Sequence, residues 1–271
     1  MKSMNRWGPT LAIAGSAILG SSLIGIMQVL ALPQEQIEQK LRTVPVFTIT
    51  DNKGAPLVAS VPNTQNQGSA ANRQKQMSVA GVFINQRDAQ AFVEKLKKEN
   101  PELAKTVRVV PVSLGEVYKL DQANQNKPNS LDVAYLPSQQ QVDAALALLR
   151  QSGKKDANQF KGTPLFVATA GKEKGYLTIK QANEQVIPFF FNKEELQSML
   201  DRFKQQQPKL ASTVGIQVLN LEGVLQTLKT RNDKQLNQII LVPPKESIEF
   251  VRSLQPAPSK KPQATPQRPA R

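Results

Sequence analysis

The sequence contains neither cysteine nor histidine among its 271 residues. Without cysteine, the chain can form no disulfide bond, no thiolate zinc site and no cysteine nucleophile. Without histidine, it can hold neither a Ser-His or Cys-His catalytic pair nor a histidine metal ligand. These two absences exclude many of the commonest catalytic and metal-binding arrangements before any motif is considered.

The remaining reactive side chains form no cluster whose spacing indicates catalysis. Asp88, Glu94 and Glu99 lie within one predicted helix, where acidic residues typically form a solvated face. Gly153 and Gly162 have lysines nearby, but they lack the glycine-lysine-serine order of a phosphate-binding loop. The sequence therefore predicts no catalytic residues, no cofactor and no metal site, and a protein that is not an enzyme.

Aromatic residues are also scarce, at 5% of the chain, whereas the net charge is +14. A strongly basic surface attracts nucleic acid, anionic lipid or acidic protein. RNA-binding modules interleave aromatic with basic residues, and zinc fingers require regularly spaced metal ligands; this chain has neither pattern. We therefore predict no nucleic-acid partner, while peripheral contact with a membrane remains open.

The N-terminal segment has the pattern of an export signal. Lys2 and Arg6 precede a stretch without charged residues at 7–34. The Val-Leu-Ala sequence that ends at Ala31 provides a cleavage site of the secretory type, which favours a signal peptide. An uncleaved membrane anchor is the alternative, because the apolar run is long enough to span a bilayer. Both interpretations predict an exported protein.

The dominant feature of the chain is an internal duplication. Residues 83–118 align without a gap to residues 190–225, and eleven of the 36 aligned positions are identical. The match continues upstream, where Val-Pro-Val-Phe at 44–47 corresponds to Thr-Pro-Leu-Phe at 163–166. It also continues downstream, where Leu-Pro at 136–137 corresponds to Val-Pro at 242–243. A repeat of this length indicates two copies of one structural unit.

Helix-capping patterns occur at the same place in both copies. Asn85 and Asn192 each stand three residues before an acidic residue and directly after a predicted strand, an arrangement typical of a helix N-terminus. Ser138 and Gln141 predict a capping box at the last helix of the first copy.

Apolar residues at helical spacing predict a buried face on the long helix of each copy. These faces consist of Phe92, Val93 and Leu96 in the first copy and of Met199, Leu200 and Phe203 in the second.

The chain is therefore predicted to adopt an α/β (α+β) fold that is internally duplicated. Two pseudo-twofold-related halves would each combine a mixed sheet with helices. The predicted organisation is a signal peptide or anchor at 1–31, a first half at 32–152, a second half at 153–254 and a disordered, basic, proline-rich tail at 255–271. The polar stretch at 61–76 is predicted to be a loop.

Three blocks of the sequence resemble the cyanobacterial branch of the Tic twenty-two-kilodalton family. They read VPVFTITDNKGAPLV, GVFINQRDAQAFVEKLKKENPELAKTVRVVPVSLGEVYKL and VAYLPSQQQVDAALALL. The resemblance extends from about residue 32 to residue 254, and the middle block is its most specific part. Plant members of this family are components of chloroplast protein import in the intermembrane space. The family has no catalytic motif, so the resemblance carries over no site residues.

The resemblance implies a duplicated α/β fold and a soluble, chaperone-like protein-transport factor in the compartment between two membranes. The implied partners are unfolded precursor polypeptides and outer-membrane biogenesis or translocon machinery of the Omp-eighty-five class. The implied location is the periplasm, with the thylakoid lumen as a second compartment. The alternative function is that of a structural adaptor held at a membrane surface by the basic tail.

Because the chain offers no recognisable chemistry, its function is expected to come from surface recognition. The second-half strand at 186–191 ends in Phe189, Phe190 and Phe191. Side chains alternate along a strand, so one of these three points opposite to the other two. We predict that Phe189 or Phe191, whichever points away from the following helix, is exposed and contacts extended polypeptides at the junction of the two halves.

Overall fold

The computed structural model describes residues 32–62, 76–124, 131–154, 157–171, 173–231 and 233–255. The predicted signal peptide or anchor lies outside these residues, as do most of the predicted loop at 61–76 and all but the first residue of the predicted tail. The described residues form helices and strands in the order that the duplication predicts.

The first half contains α1 (Gln34–Leu41), β1 (Pro45–Asp51), β2 (Val58–Pro62), β3 (Gln76–Phe83), α2 (Gln86–Glu99), α3 (Pro101–Ala104), β4 (Val107–Ser113), α4 (Leu114–Asn124), β5 (Leu131–Leu136) and α5 (Gln139–Gln151). The second half contains β6 (Pro164–Ala170), β7 (Gly175–Tyr176), β8 (Ile179–Gln181), β9 (Glu184–Phe190), α6 (Lys193–Gln206), β10 (Gly215–Asn220), α7 (Leu221–Thr230), β11 (Ile239–Val242) and α8 (Lys245–Ser253). Short 3-10 helices lie at Pro208–Thr213 and Lys234–Gln238.

Each half folds around its own mixed sheet. In the first sheet, β1 lies between β3 and β4 and is antiparallel to both, while β5 is parallel to β3 and β2 is antiparallel to it. In the second sheet, β6 lies between β9 and β10 and is antiparallel to both, while β11 is parallel to β9. The central strands β1 and β6 are buried along almost their whole length, as expected for strands that are covered on both faces.

The strand register repeats between the two sheets. Phe47 pairs with Phe83 in the first sheet, and the equivalent Phe166 pairs with Phe190 in the second. The four equivalent strands of each sheet (β1, β3, β4 and β5 in the first, β6, β9, β10 and β11 in the second) keep the same neighbours and the same directions. A one-residue slip in register would turn every side chain of a strand to the opposite face of its sheet. Because the two sheets have the same register, equivalent residues lie on equivalent faces. The internal duplication and the α+β fold predicted from the sequence are therefore confirmed.

The predicted asparagine caps are present. The side chain of Asn85 accepts a hydrogen bond from the Arg87 N–H, and that of Asn192 accepts from the N–H groups of Glu194 and Glu195. These bonds satisfy N–H groups that the first turn of a helix leaves without a partner.

The capping box predicted at Ser138 is wrong. Ser138 occupies the position before α5, but its side chain makes no capping bond. Gln141 reaches across to α6 instead, donating to Glu194 Oε2 at 2.9 Å and accepting from the Lys193 N–H at 2.9 Å. Contact between the two halves has replaced the local contact that the sequence pattern suggested.

The inner faces of the two sheets share one apolar core with α1, α4 and α7. Val46 and Val82 contribute from the first sheet, and Leu165, Ile187 and Phe189 from the second. Burying a side chain of this size stabilises the fold by about 1.5–3 kcal/mol. This common core joins the two halves into one cooperative body.

The outer faces of the sheets are covered by helices that the two halves exchange. Helix α5 of the first half packs on β6 and β10, beside α6 of the second half. Helix α8 of the second half packs on β1, beside α2 of the first half. Each half therefore completes the outer layer of the other, a relationship that the sequence analysis did not predict.

Candidate functional site

The phenylalanine triplet of β9 belongs to the protein core. The exposed fractions of Phe189, Phe190 and Phe191 are 0%, 8% and 2%. The three side chains alternate as expected: Phe189 and Phe191 enter the central core, whereas Phe190 enters the outer core under α5 and α6. The prediction that Phe189 or Phe191 is exposed is wrong, because helices or the opposite half cover both faces of β9.

An exposed apolar surface lies instead on the outer side of the first sheet. We call it the α2–α8 face and define it by Phe47, Phe83, Phe92 and Phe250, together with Leu254 at the C-terminal end of α8. Phe83 and Phe92 have ring centroids 5.6 Å apart, and Phe47 and Phe250 have ring centroids 5.7 Å apart. Phe92 is 41% exposed and Leu254 is 56% exposed. This face therefore combines a buried aromatic floor with apolar side chains that reach solvent.

The exposure of Phe92 corrects the prediction that it is buried with Val93 and Leu96. Those two neighbours are half-buried, so α2 covers the first sheet incompletely. On α6, Leu200 is buried as predicted, whereas Met199 and Phe203 are half-buried.

The pseudo-twofold-related face of the second sheet is more closed. Met199 and Leu148 occupy the positions equivalent to Phe92 and Leu254, and both are half-buried. Phe160, in the segment before β6, packs with them against the outer core of the second sheet. In the first half, the residue at the position of Phe160 is Leu41, which belongs to α1 and enters the central core. Among the described residues, no equivalent segment covers the outer face of the first sheet.

Polar contacts hold α8 in place at one end of the α2–α8 face. Glu246 accepts a hydrogen bond from the Asn85 side chain at 2.6 Å and forms an ion pair with Arg87 at 3.1 Å. The Ser247 hydroxyl donates to the Ile84 carbonyl oxygen. Burial, together with the nearby charge of Glu246, raises the pKa of Asp88 above its usual range. These contacts fix the exchanged helix against the start of α2.

The related contacts of α5 with α6 have a different charge pattern. Burial would raise the pKa of Glu194, but hydrogen bonds from Gln141, its own backbone and Gln140, together with nearby Lys193, lower it on balance. The carboxylate of Glu194 is therefore kept ionised at the junction. Both exchanged helices are anchored by polar groups at their first turn.

Two cavities lie between elements of the two halves. One, of about 160 Å³, is bordered by the first turns of α2, α5, α6 and α8. The other, of about 380 Å³, is bordered by α4, α7 and β5. Across the described residues, no group of three or more acidic residues is placed to hold a metal ion. Within the same ranges, no helix is both long and apolar enough to cross a membrane.

Comparison with known proteins identifies relatives over nearly the whole chain. The sequence profile of the Tic22-like family matches residues 5–253. Protein TIC 22, chloroplastic, of Pisum sativum is 24% identical over 257 residues, which cover 90% of this chain and 95% of the pea protein. Protein TIC 22, chloroplastic, of Arabidopsis thaliana is 26% identical over 222 residues, which cover 79% of this chain and 76% of that protein.

Solved structures show the same fold. Anabaena Tic22, a protein-transport protein, superposes with a TM-score of 0.71 at 38% identity, covering 84% of this chain and all (100%) of the Anabaena chain. Tic22 from Plasmodium falciparum superposes with a TM-score of 0.59 at 22% identity, covering 80% of this chain and 96% of the other, and shows the fold alone. The resemblance noted in the sequence, including its cyanobacterial character, is confirmed.

Proposed function

Because the chain belongs to the Tic22-like family, we propose that it is a non-enzymatic protein-transport factor that binds unfolded precursor polypeptides in a chaperone-like way. The observation that carries this proposal is the α2–α8 face. Exposed apolar surface of this kind is costly in water and commonly marks a site of interaction with other proteins.

The chemistry of the α2–α8 face suits an extended polypeptide of variable sequence. Aromatic rings offer large apolar contact area without requiring a particular hydrogen-bond pattern. An apolar side chain of the client that removes Phe92 and Leu254 from water gains about 25 cal/mol for each Å² buried. Several weak contacts of this type favour reversible binding of many sequences over tight binding of one.

The neighbouring edge strand adds a second means of binding. The side chains of Val107 and Val109 on β4 pack against the outer core beneath α2. Among the described residues, β4 pairs with β1 and with no other strand. An extended segment of a client can add to such an edge through its backbone while its side chains enter adjacent apolar sites.

We further propose that the protein works in the compartment between two membranes. Its chloroplast-associated relatives and the signal-like N-terminal segment support export to the periplasm, with the thylakoid lumen as the other compartment. Omp-eighty-five-class machinery of the outer membrane is the proposed docking partner for the loaded protein. Crosslinking in cells, followed by identification of the attached proteins, tests both the clients and this partner.

Replacing one exposed side chain of the face tests the binding of clients. We expect Phe92→Ser to weaken the affinity for a reduced and alkylated test protein about three- to tenfold, because it removes roughly 1 kcal/mol of apolar contact. Fluorescence anisotropy measures this affinity, and suppression of client aggregation should fall in parallel. Leu210→Ser is the matched control, since Leu210 is 43% exposed but lies on the 3-10 helix of the second half. Equal losses in both variants, or no loss in Phe92→Ser, would contradict the proposed site.

A further inference from the structure

Helix α8 is packed less closely than α5, the helix that covers the corresponding outer face of the second sheet. Three residues of α5 are buried: Gln141, Ala145 and Leu146. In α8 only Ser247 is buried, and Arg252, at the position equivalent to Leu146, is exposed. The apolar packing that fixes α5 on its sheet is therefore weaker beneath α8.

The surface that α8 covers is strongly apolar. We call Phe47, Ile49 and Phe83 the floor; their exposed fractions are 0%, 3% and 7%. From α8, Phe250 packs against this floor, with its ring centroid 5.7 Å from that of Phe47. Movement of α8 away from β1 would therefore uncover an apolar surface that continues from the exposed ring of Phe92.

The contacts of Glu246 with Asn85 and Arg87 hold α8 at its first turn, and we call them the latch. The Arg87 side chain is 77% exposed, and ion pairs that are open to water contribute little to stability. Beside the latch, Asp88 Oδ2 is buried without a hydrogen-bond partner in the described part of the chain. Burial and then the charge of Glu246 raise the pKa of Asp88. The closed position of α8 therefore keeps a carboxylate in an unfavourable environment.

The connection of α8 to the rest of the fold permits movement. Pro243 and Pro244 join it to β11, and no further element follows it within the described residues. The cavity of about 160 Å³ borders both Pro244 and Glu246, so space remains beside the first turn. Helix α8 can thus move about this junction without displacing another described element, whereas α5 lies between β5 and β6 in the chain.

We propose that α8 is a lid that opens about Pro243 and Pro244 and uncovers the floor for an unfolded polypeptide. This inference rests on the proposed function and describes how its binding surface is controlled. A client first contacts the exposed side chain of Phe92 and then occupies the place that α8 leaves on β1. The client shifts the population towards the open state because it binds that state more tightly than the closed one. Opening of one weakly packed helix needs less free energy than unfolding of the whole protein.

Hydrogen exchange of the unmodified protein tests the lid without any substitution. The amides of α8 should exchange at least about tenfold faster than those of α5, because α8 opens independently of the core. Addition of reduced and alkylated α-lactalbumin, a chain that stays unfolded, should make α8 exchange still faster while α2 becomes protected. Equal rates in α5 and α8 would overturn the inference. Protection of α8 in the complex would also overturn it, because the client would then bind to the closed helix.

The absence of cysteine from the chain allows the lid to be locked at one chosen place. In a protein with Arg87→Cys and Glu246→Cys, a short bismaleimide bridges the two positions whose native side chains form the ion pair. The same protein with both thiols blocked by N-ethylmaleimide lacks the latch and leaves α8 free. Fluorescence anisotropy should show that the bridged protein binds α-lactalbumin at least about fivefold more weakly than the blocked protein, because its open state is no longer populated.

The pseudo-twofold-related pair at the α5 junction provides the matched control. Gln140 and Glu194 stand at the positions equivalent to Glu246 and Arg87, and Gln140 Nε2 lies 3.4 Å from Glu194 Oε1. In a protein with Gln140→Cys and Glu194→Cys, the bridged and blocked forms should bind α-lactalbumin within about twofold of each other, because α5 does not act as a lid.

The outcomes separate this inference from the proposed function. Equal binding by the bridged and blocked forms of the α8 pair would overturn the lid and leave client binding to the closed α2–α8 face in place. An equal loss of binding on bridging at the α5 junction would also overturn the lid, because the effect would not depend on α8. Absence of binding in every form, the wild-type protein included, would overturn the proposed function together with the lid.

Discussion

At the start of α2, Asp88 places a carboxylate where its environment opposes ionisation. Its Oδ2 atom is buried without a hydrogen-bond partner in the described part of the chain. Burial and the charge of Glu246 raise its pKa. The equivalent residue of the second half, Glu195, is better placed, because its Oε1 accepts a hydrogen bond from the Lys245 N–H at 2.9 Å. The acid of the second half therefore has a hydrogen-bond partner that the buried oxygen of Asp88 lacks.

We predict that Asp88→Asn raises the Tm at pH 7 and that Glu195→Gln does not. When folding raises the pKa of a carboxyl group, that group lowers the free energy of unfolding at pH values above the raised pKa. The penalty disappears as the pH falls to the pKa of the unfolded chain, about 3.9 for aspartate. The Tm difference between Asp88→Asn and the wild-type protein should therefore be present at pH 7 and vanish near pH 4. Thermal unfolding between pH 4 and pH 7 measures this difference in Tm. A difference that grows as the pH falls towards 4 would contradict the prediction that the ionised carboxylate of Asp88 destabilises the fold.

The residues of the candidate site were only partly predictable from the sequence. The apolar pattern of α2 identified Phe92 as part of an apolar face, but periodicity cannot show whether a partner element covers that face. The triplet Phe189–Phe191 suggested an exposed ring because strand side chains alternate. The alternation is real, yet both sides of β9 are covered, and coverage depends on segments distant in the chain.

At the scale of elements, the segments that precede the first strand of each half decide which surfaces stay open. Helix α1 fills an inner cleft, whereas the segment with Phe160 covers an outer face. The strand register could be predicted from the repeat, since equivalent phenylalanines pair in both sheets. The surfaces that these two segments cover could not be predicted, because their sequences share no pattern apart from the Pro-X-Phe that follows each of them.

The close approach of α1 to α4 yields a prediction about Gly115. Alanine normally stabilises a helix interior by about 1 kcal/mol relative to glycine. Here the added Cβ would meet the Glu38 carbonyl oxygen, so we expect Gly115→Ala to destabilise the fold by about 1–3 kcal/mol instead. Hydrogen exchange should show faster opening of α1.

Lys119→Ala on the exposed surface of the same helix is the control for this prediction and should change the free energy of unfolding by less than about 0.5 kcal/mol. A stabilised Gly115→Ala protein with unchanged exchange in α1 would contradict the tight packing of α1 against α4.

At the scale of the whole molecule, the exchange of α5 and α8 makes the two halves depend on each other. Each sheet is completed by a helix from the other half, and the inner faces share one core. The capping and strand patterns are local, so they predicted two similar units but could not show that the last helix of each unit crosses over.

We therefore expect residues 32–152 and residues 153–254, expressed separately, to remain largely unfolded. Each would expose the apolar face that the other normally covers, and too little buried area would remain to offset the chain entropy. Circular dichroism and proton NMR test this expectation. Mixing the two fragments should restore native-like spectra, whereas a stable folded monomer of either half alone would contradict the interdependence of the halves.

The account as a whole assigns client binding to one of two related outer faces. Photo-crosslinking from the full chain tests this assignment most directly, with benzoylphenylalanine placed once at Phe92 and once at the equivalent Met199. The account predicts that an unfolded client is captured from position 92 and that position 199, closed by Phe160, gives little or no product. Equal capture from both positions, or capture from position 199 alone, would contradict it.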